Sequence, residues 1–120
     1  MSIKKVNINE KFALINKHWD PKIAGELNGQ HIRLAKLKGS FDWHHHEQED
    51  EMFLVVSGQL DMHLRDQIIT LDEGEFLIVP KGVEHKPVAE EEVQVLLFEP
   101  AATLNTGTDV TERTVHPDWI

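Results

Sequence analysis

From residue 30 onward the apolar positions come in short groups separated by turn signals. Ile32 and Leu34 alternate with His31 and Arg33 at the head of a segment running His31–Lys38, which Gly39-Ser40 interrupts. A period of two puts alternate side chains on one face of a strand. Met52-Phe53-Leu54-Val55-Val56 is a continuous apolar run and predicts a strand over Glu51–Ser57 that is covered on both faces. Leu60, Met62 and Leu64 alternate with Asp61, His63 and Arg65, the pattern of a half-buried strand, and Arg65-Asp66-Gln67 turns into Ile68–Leu71. Phe76–Val79 and Val93–Phe98 are further strands. Gln94, Leu96 and Phe98 share one face of the last strand, which is taken as the interior face. Ser57-Gly58, Asp72-Glu73-Gly74 and Pro80-Lys81-Gly82 punctuate these segments with turn chemistry. The connections leave no room for the helices that parallel strands need, so the sheet is antiparallel and the domain an all-β sandwich or barrel.

The two ends read less clearly. Residues 1–28 form an N-terminal arm in which Asn9–Ile15 is either a short helical turn or a strap on another surface; Asp20-Pro21 and Asn28-Gly29 mark turns. Residues 101–120 are polar and end in Trp119-Ile120, either a solvated tail or an arm that buries Trp119. The 120 residues are read as one domain, with its core at about 30–100. The net charge of −9 without a basic stripe disfavours nucleic acid, whose binding depends on neutralising phosphates. Glu90–Glu92 is read as a solvated turn. The chain has no cysteine, which excludes disulfides and thiolate chemistry. No apolar run approaches the ~20 residues of a membrane span, and Met1–Ile8 lacks an apolar signal core; the expected compartment is the cytosol.

The candidate chemistry lies in Trp43-His44-His45-His46-Glu47-Gln48-Glu49-Asp50-Glu51 and, further on, Pro80-Lys81-Gly82-Val83-Glu84-His85. His44 and His46 project to the same side of an extended segment and His45 to the other. With Glu51 and His85 they offer three imidazoles and a carboxylate, a set suited to a divalent transition metal. His18, His31, His63 and His116 are read as ordinary surface or core histidines, His63 facing solvent. Phe41 and Trp43 flank the site as possible apolar walls. Arg33 and Lys36 lie on opposite faces of the preceding strand, so one of them can point inward towards an anion. Phe98 is a further candidate for the pocket lining.

These motifs resemble the cupin superfamily, and in particular its small single-domain barrels. The first motif reads Gly39, four residues, His44-His45-His46, four residues, Glu51, six residues, Gly58; the second reads Gly74, five residues, Pro80-Lys81-Gly82, two residues, His85, three residues, Ala89. The first spacer is one residue shorter than usual in the family, and Ala89 stands where the family has Asn. The resemblance implies an antiparallel double-stranded β-helix, or jelly roll, with one divalent metal (Zn, Ni, Fe or Mn) held by His44, His46, Glu51 and His85 near one mouth.

Four protein ligands leave two positions open at an octahedral metal and none at a tetrahedral one. The first expectation is a metal-dependent enzyme acting on a small, polar, oxygen-rich metabolite, a sugar derivative or organic acid, with isomerase and dioxygenase as the reaction types the resemblance implies. The second is a non-catalytic, metal-dependent ligand-binding or sensing module, because no general base stands out beyond the ligands. The third is a structural barrel without metal. A homodimer is expected, since Phe12 and Ile15 in the N-terminal arm need a surface on which to bury.

Overall fold

The computed structural model describes residues 2–120. Among these the chain forms a helix, α1 (Ile8–Phe12), and the strands β1 (Lys22–Leu27), β2 (Gln30–Ser40), β3 (Glu51–Ser57), β4 (Leu60–Leu64), β5 (Ile68–Leu71), β6 (Phe76–Val79) and β7 (His85–Pro100). All named pairs are antiparallel, in the order β1-β2-β7-β3-β6, with β4 joining β5 and β7. The long β7 holds the barrel together. Its start pairs with β4, Leu64 opposite His85, and its end lies between β2 and β3.

Two elements depart from expectation. β1 sits inside the stretch read as an arm, and it is irregular, with a register shift between Ile23 and Gly25. Glu90–Glu92 is exposed, as expected, but it lies within β7 instead of at a turn. Leu37 pairs with Val93 and Gly39 with Ala89, so the three glutamates form a bulge that pushes like charges into water while the strand continues.

The interior is lined by Ala35 and Leu37 of β2, Phe53 and Val55 of β3, Leu60 and Met62 of β4, and Val93, Val95 and Leu97 of β7. This corrects the parity expected for the last strand: Gln94, Leu96 and Phe98 face outward and are half-buried. The outward face is apolar because α1 packs on part of it. Phe12 and Ile15 bury against Leu34, joined by Ile8, Ala24, Val56, Leu96 and Ile120. The helix starts at Asn7, whose side chain accepts from the Glu10 N–H (3.0 Å), a normal N-cap. Phe12 and Ile15 therefore bury within their own chain. The Met52–Val56 run divides likewise, with Phe53 and Val55 inside and the other three half-buried outside.

The C-terminal residues also lie on the barrel. The Ile23 N–H donates to the Asp118 carbonyl (2.8 Å) and the Ile120 N–H to that of Ile23 (3.0 Å). Ile120 packs inward while Trp119 stays 59% exposed. Upstream, the Thr108 N–H donates to the His45 carbonyl (2.9 Å) and the Glu47 N–H to the Thr108 hydroxyl (3.1 Å), strapping the histidine loop. Gly107 makes this possible: its φ is +79°, and a Cβ there would run into the His45 carbonyl. No helix among the described residues is long and apolar enough to cross a membrane.

Candidate metal centre

His44 lies just before β3, on a short extended segment that forms an antiparallel bridge with the first residue of β7. The His44 N–H donates to the His85 carbonyl (3.0 Å) and the His85 N–H to that of His44 (2.9 Å). Backbone pairing thus fixes two imidazoles side by side, ring centroids 4.2 Å apart. The motif loops are tied again where the Gly82 N–H donates to the His46 carbonyl (2.8 Å) and the Lys81 N–H to Asp50 Oδ1 (2.8 Å). Glu51 opens β3 facing inward.

One ligand atom from each of His44, His46, Glu51 and His85 lies within 4.8 Å of the others. Glu51 Oε1 is 3.2 Å from His46 Nε2 and 3.4 Å from His85 Nε2. His44 Nδ1 is 2.9 Å from the Asp42 carbonyl and His85 Nδ1 is 2.9 Å from that of Val83. As donors to those carbonyls, both rings hold their proton on Nδ1 and keep the Nε2 lone pair free. Both nitrogens of His46, Glu51 Oε1 and His85 Nε2 are buried with no hydrogen-bond partner among the described residues. Burying such groups unpaired is costly. A divalent cation at the point of convergence satisfies Glu51 Oε1 and the Nε2 atoms of His46 and His85 together, and three imidazoles with a carboxylate suit Zn, Ni, Fe or Mn; His46 Nδ1 lies 3.8 Å from Glu49 Oε1.

The electrostatics fit a cation site. The His44 pKa is lowered to about 4, by burial first and then by the neighbouring His85, so the ring is neutral and able to ligate near neutral pH. Burial alone would raise Glu51, but the neighbouring Glu99, His46 and His85 side chains outweigh it and hold the carboxylate well below its usual range.

Glu99 was not identified from the sequence. It is 2% exposed near the end of β7 and lies against Glu51. Burial, followed by the charge of Glu51, holds its pKa well above the usual value, so this carboxyl carries the proton the two acids share. Behind it, Arg33 Nη1 donates to Glu99 Oε1 (3.0 Å) and the Thr103 carbonyl (2.7 Å), Nη2 to the Ala101 carbonyl (2.9 Å) and His31 Nδ1 (3.1 Å), and Nε to His31 Nδ1 (3.3 Å). His31 Nδ1 is an acceptor here, so its proton sits on Nε2 and is donated to Glu26 Oε1 (2.9 Å). His31 is a buried core histidine, and Arg33 is the inward cation of its strand. Parity was the available signal for the Arg33–Glu99 pair: Arg33 shares a face with Ala35 and Leu37, and Glu99 with Val95 and Leu97.

A cleft of about 440 Å³, part of it open to solvent, leads to the centre; His44, Glu51, Glu99, Phe41 and Trp19 are among its lining residues. Phe41 is placed as expected, 5.4 Å from the His44 ring centroid-to-centroid. Trp43 is not at this wall: it shares the outward parity of His45, and the Arg65 guanidinium covers its ring at 3.8 Å. Lys36 points outward on the Leu34 face, and Phe98 lies outside with Leu96. Trp19 comes from the arm that periodicity could not read. Its backbone is left-handed (φ 60°), uncommon for a bulky residue. Hydrogen bonds from its N–H to the Lys36 carbonyl (2.9 Å) and from its indole to the Lys38 carbonyl (2.8 Å) hold it there.

Comparison with known proteins gives a consistent picture. Residues 30–99 match the Cupin domain family model. The crystal structure of a cupin-2 domain containing protein from Shewanella frigidimarina NCIMB 400 is 47% identical over 79% of this chain and 93% of that one, with a TM-score of 0.78. Protein NMB1881 from Neisseria meningitidis is 32% identical over 81% and 99%, TM-score 0.75. Protein YdbB of Bacillus subtilis strain 168 is 39% identical over 62 residues; the match spans 51% of this chain and only 55% of that protein.

Proposed function

From the premise that this chain belongs to the cupin domain family, as the match over residues 30–99 establishes, we propose that it is a metal-dependent enzyme. It acts on a small molecule at a 3-His/1-Glu centre, by isomerase or dioxygenase chemistry. The observation that carries this reading is the convergence of partnerless ligand atoms from His46, Glu51 and His85, beside His44, at the base of an open cleft. A bound divalent metal supplies Lewis acidity and a template for substrate oxygens. The chain's own residues do the rest. The Asp42 and Val83 carbonyls orient two imidazoles, and Glu99 orients Glu51 while holding a proton at the cleft wall. Trp19 and Phe41 keep water from one side.

The test is metal content by mass spectrometry on protein purified without chelator or nickel resin, beside a His44→Ala/His85→Ala double variant. About one ion per chain, absent from the variant, is expected, followed by turnover in oxygen-uptake or anaerobic isomerase assays with the matching metal. No metal in either protein, and none taken up on reconstitution, overturns the reading; tight ligand binding without turnover moves it to a binding module.

We also propose a homodimer. Cross-strand pairing lines up Ile32, Phe98, Met52 and Ile78 on the outer face, beside Leu54 and Phe76. Ile78 and Phe76 are 58% and 53% exposed. This row is apolar and carries no charge, and a second copy can match it by two-fold symmetry.

A further inference from the structure

The walls of the cleft point to a kind of substrate that the metal ligands alone do not specify. We propose that it selects a small, uncharged molecule with an apolar or aromatic body and a metal-binding oxygen head, in place of the small, polar, oxygen-rich metabolite expected from the sequence. The proposal rests on the metal-dependent reading for the head of that molecule and on the cleft for its body.

Three observations carry it. The first is the wall itself, made by Trp19, Leu37, Phe41, Phe53, Pro87 and Leu97. Trp19 and Phe41 stack with ring centroids 4.9 Å apart at an interplanar angle of 26°, and the two hydrogen bonds of Trp19 hold the pair in place. An apolar wall that includes two stacked rings suits the face of another ring.

The second is that the polar groups at the wall are already committed. His44 and Glu51 face the metal position. Glu99 Oε1 accepts from Arg33 (3.0 Å), and the one exception at this residue is its buried Oε2, which has no partner among the described residues and leaves room for a single polar contact. The Asn105 amide donates to the Arg113 carbonyl (2.9 Å) and accepts from the Val115 N–H (2.9 Å). A polyhydroxylated molecule entering here would leave its hydroxyls without partners, and buried unpaired polar groups discriminate strongly against a ligand.

The third is that the described lining residues include no free cation to receive a carboxylate or phosphate. Arg33 is inward, but a guanidinium has five N–H donors, and its five contacts go to Glu99, Thr103, Ala101 and, twice, His31. Arg113, at the rim, donates to Asp42 Oδ1 (3.0 Å) and lies over the Phe41 ring at 4.3 Å. It closes the outer side of the aromatic wall with its charge already paired.

The experiment uses two probes with one metal-binding head. Isothermal calorimetry on the zinc-loaded protein compares benzohydroxamic acid with acetohydroxamic acid, and glucose 6-phosphate serves as the polar anion. The ring should tighten binding about tenfold or more, as burial of an aromatic body does. Trp19→Ala should shrink this difference and Trp19→Phe keep most of it. Glucose 6-phosphate should bind more weakly than either hydroxamate. A parallel titration of phenol into metal-free protein, followed by NMR shifts of residues lining the cleft, reads the body site without the metal. Saturable shifts that Trp19→Ala weakens are expected.

Equal affinity for the two hydroxamates, or tighter binding of glucose 6-phosphate, overturns the proposal while leaving the metal reading intact. Failure of the protein to hold zinc overturns the metal reading instead, and the phenol titration then decides this one: no saturable shift refutes it.

Discussion

Replacing Arg33 by Met tests the buried network behind the metal ligands. The Arg33 and Glu99 side chains are each 2% exposed and 3.0 Å apart. Met fills much of the same volume but offers no donor, so Glu99 Oε1, the Thr103 and Ala101 carbonyls and His31 Nδ1 all lose their partner. Breaking one side of a buried ion pair costs about 3–5 kcal/mol. Glu99 already carries the proton it shares with Glu51, so the variant leaves no bare carboxylate there, which favours the lower figure, about 3 kcal/mol. At roughly 4 °C per kcal/mol for a domain of this size, Tm falls by about 12 °C. Scanning calorimetry in EDTA measures this without a metal contribution. Arg33→Met/Glu99→Leu should recover only the part of the loss that belongs to Glu99, because the Thr103 and Ala101 carbonyls and His31 Nδ1 stay without their donor. A loss below about 1 kcal/mol in the single variant, the range of exposed pairs, would refute the account of a closed, fully committed guanidinium.

Four further outcomes are expected. Zinc at one hundred times its dissociation constant should raise unfolding free energy by about 2.7 kcal/mol; EDTA should reverse the gain and His85→Ala abolish it, as read by chemical denaturation. In metal-free protein His44 titrates at about 4 against an ordinary 6.5. Between those values the unfolded chain holds a proton that the folded chain lacks, so stability falls as pH drops through this window, by up to about 1.4 kcal/mol per unit. Glu99, held protonated, has the opposite sign, so the His44 contribution is read as the difference between wild type and His44→Gln across denaturation curves from pH 7 to 4. Gly107→Ala should weaken zinc binding at least as much as it lowers Tm, because its Cβ pushes on the His45 carbonyl between two ligands; unchanged affinity in a competition titration would show that the tail does not set the loop. Ile78→Lys places a charge in the bare apolar row and should convert a dimer to a monomer in sedimentation velocity; a wild-type monomer at micromolar concentration would dispose of the dimer outright.

The strands at the centre of the barrel were legible because their patterns and turns agree, and the ligand set because its spacing is tied to those turns. The parity of β7 was not. Val93, Val95 and Leu97 face the interior while Leu96 and Phe98 face out, and both sets are apolar, since α1 covers part of the outer face. Hydrophobic alternation can assign an interior only where the other side meets water. Glu99 was hidden by the same ambiguity. β1 was missed because its register breaks between Ile23 and Gly25. Trp19 was missed because a left-handed residue in an irregular segment has no periodicity to read.

The metal centre and the cleft differ in how they are built, and this bears on how each responds to substitution. The ligands are cross-tied by backbone: His44 to His85, His46 to Gly82, and the Lys81 N–H to Asp50. Most side-chain changes elsewhere leave these bonds in place. The mouth is assembled from the two arms, with Trp19 from the N-terminal segment and Asn105 and Arg113 from the C-terminal one, each held by two hydrogen bonds, with ring contacts beside them. Changes there alter the shape and polarity of the cleft while the barrel keeps its register. Trp19→Ala should therefore leave zinc affinity within about threefold of wild type, since Trp19 reaches His44 only through the Phe41 ring and such indirect coupling is small, even as it reorders the preference among hydroxamates. A fall in zinc affinity comparable to that of His85→Ala would show that arm and centre form one cooperative unit, and that substrate choice cannot be changed here without disturbing the metal.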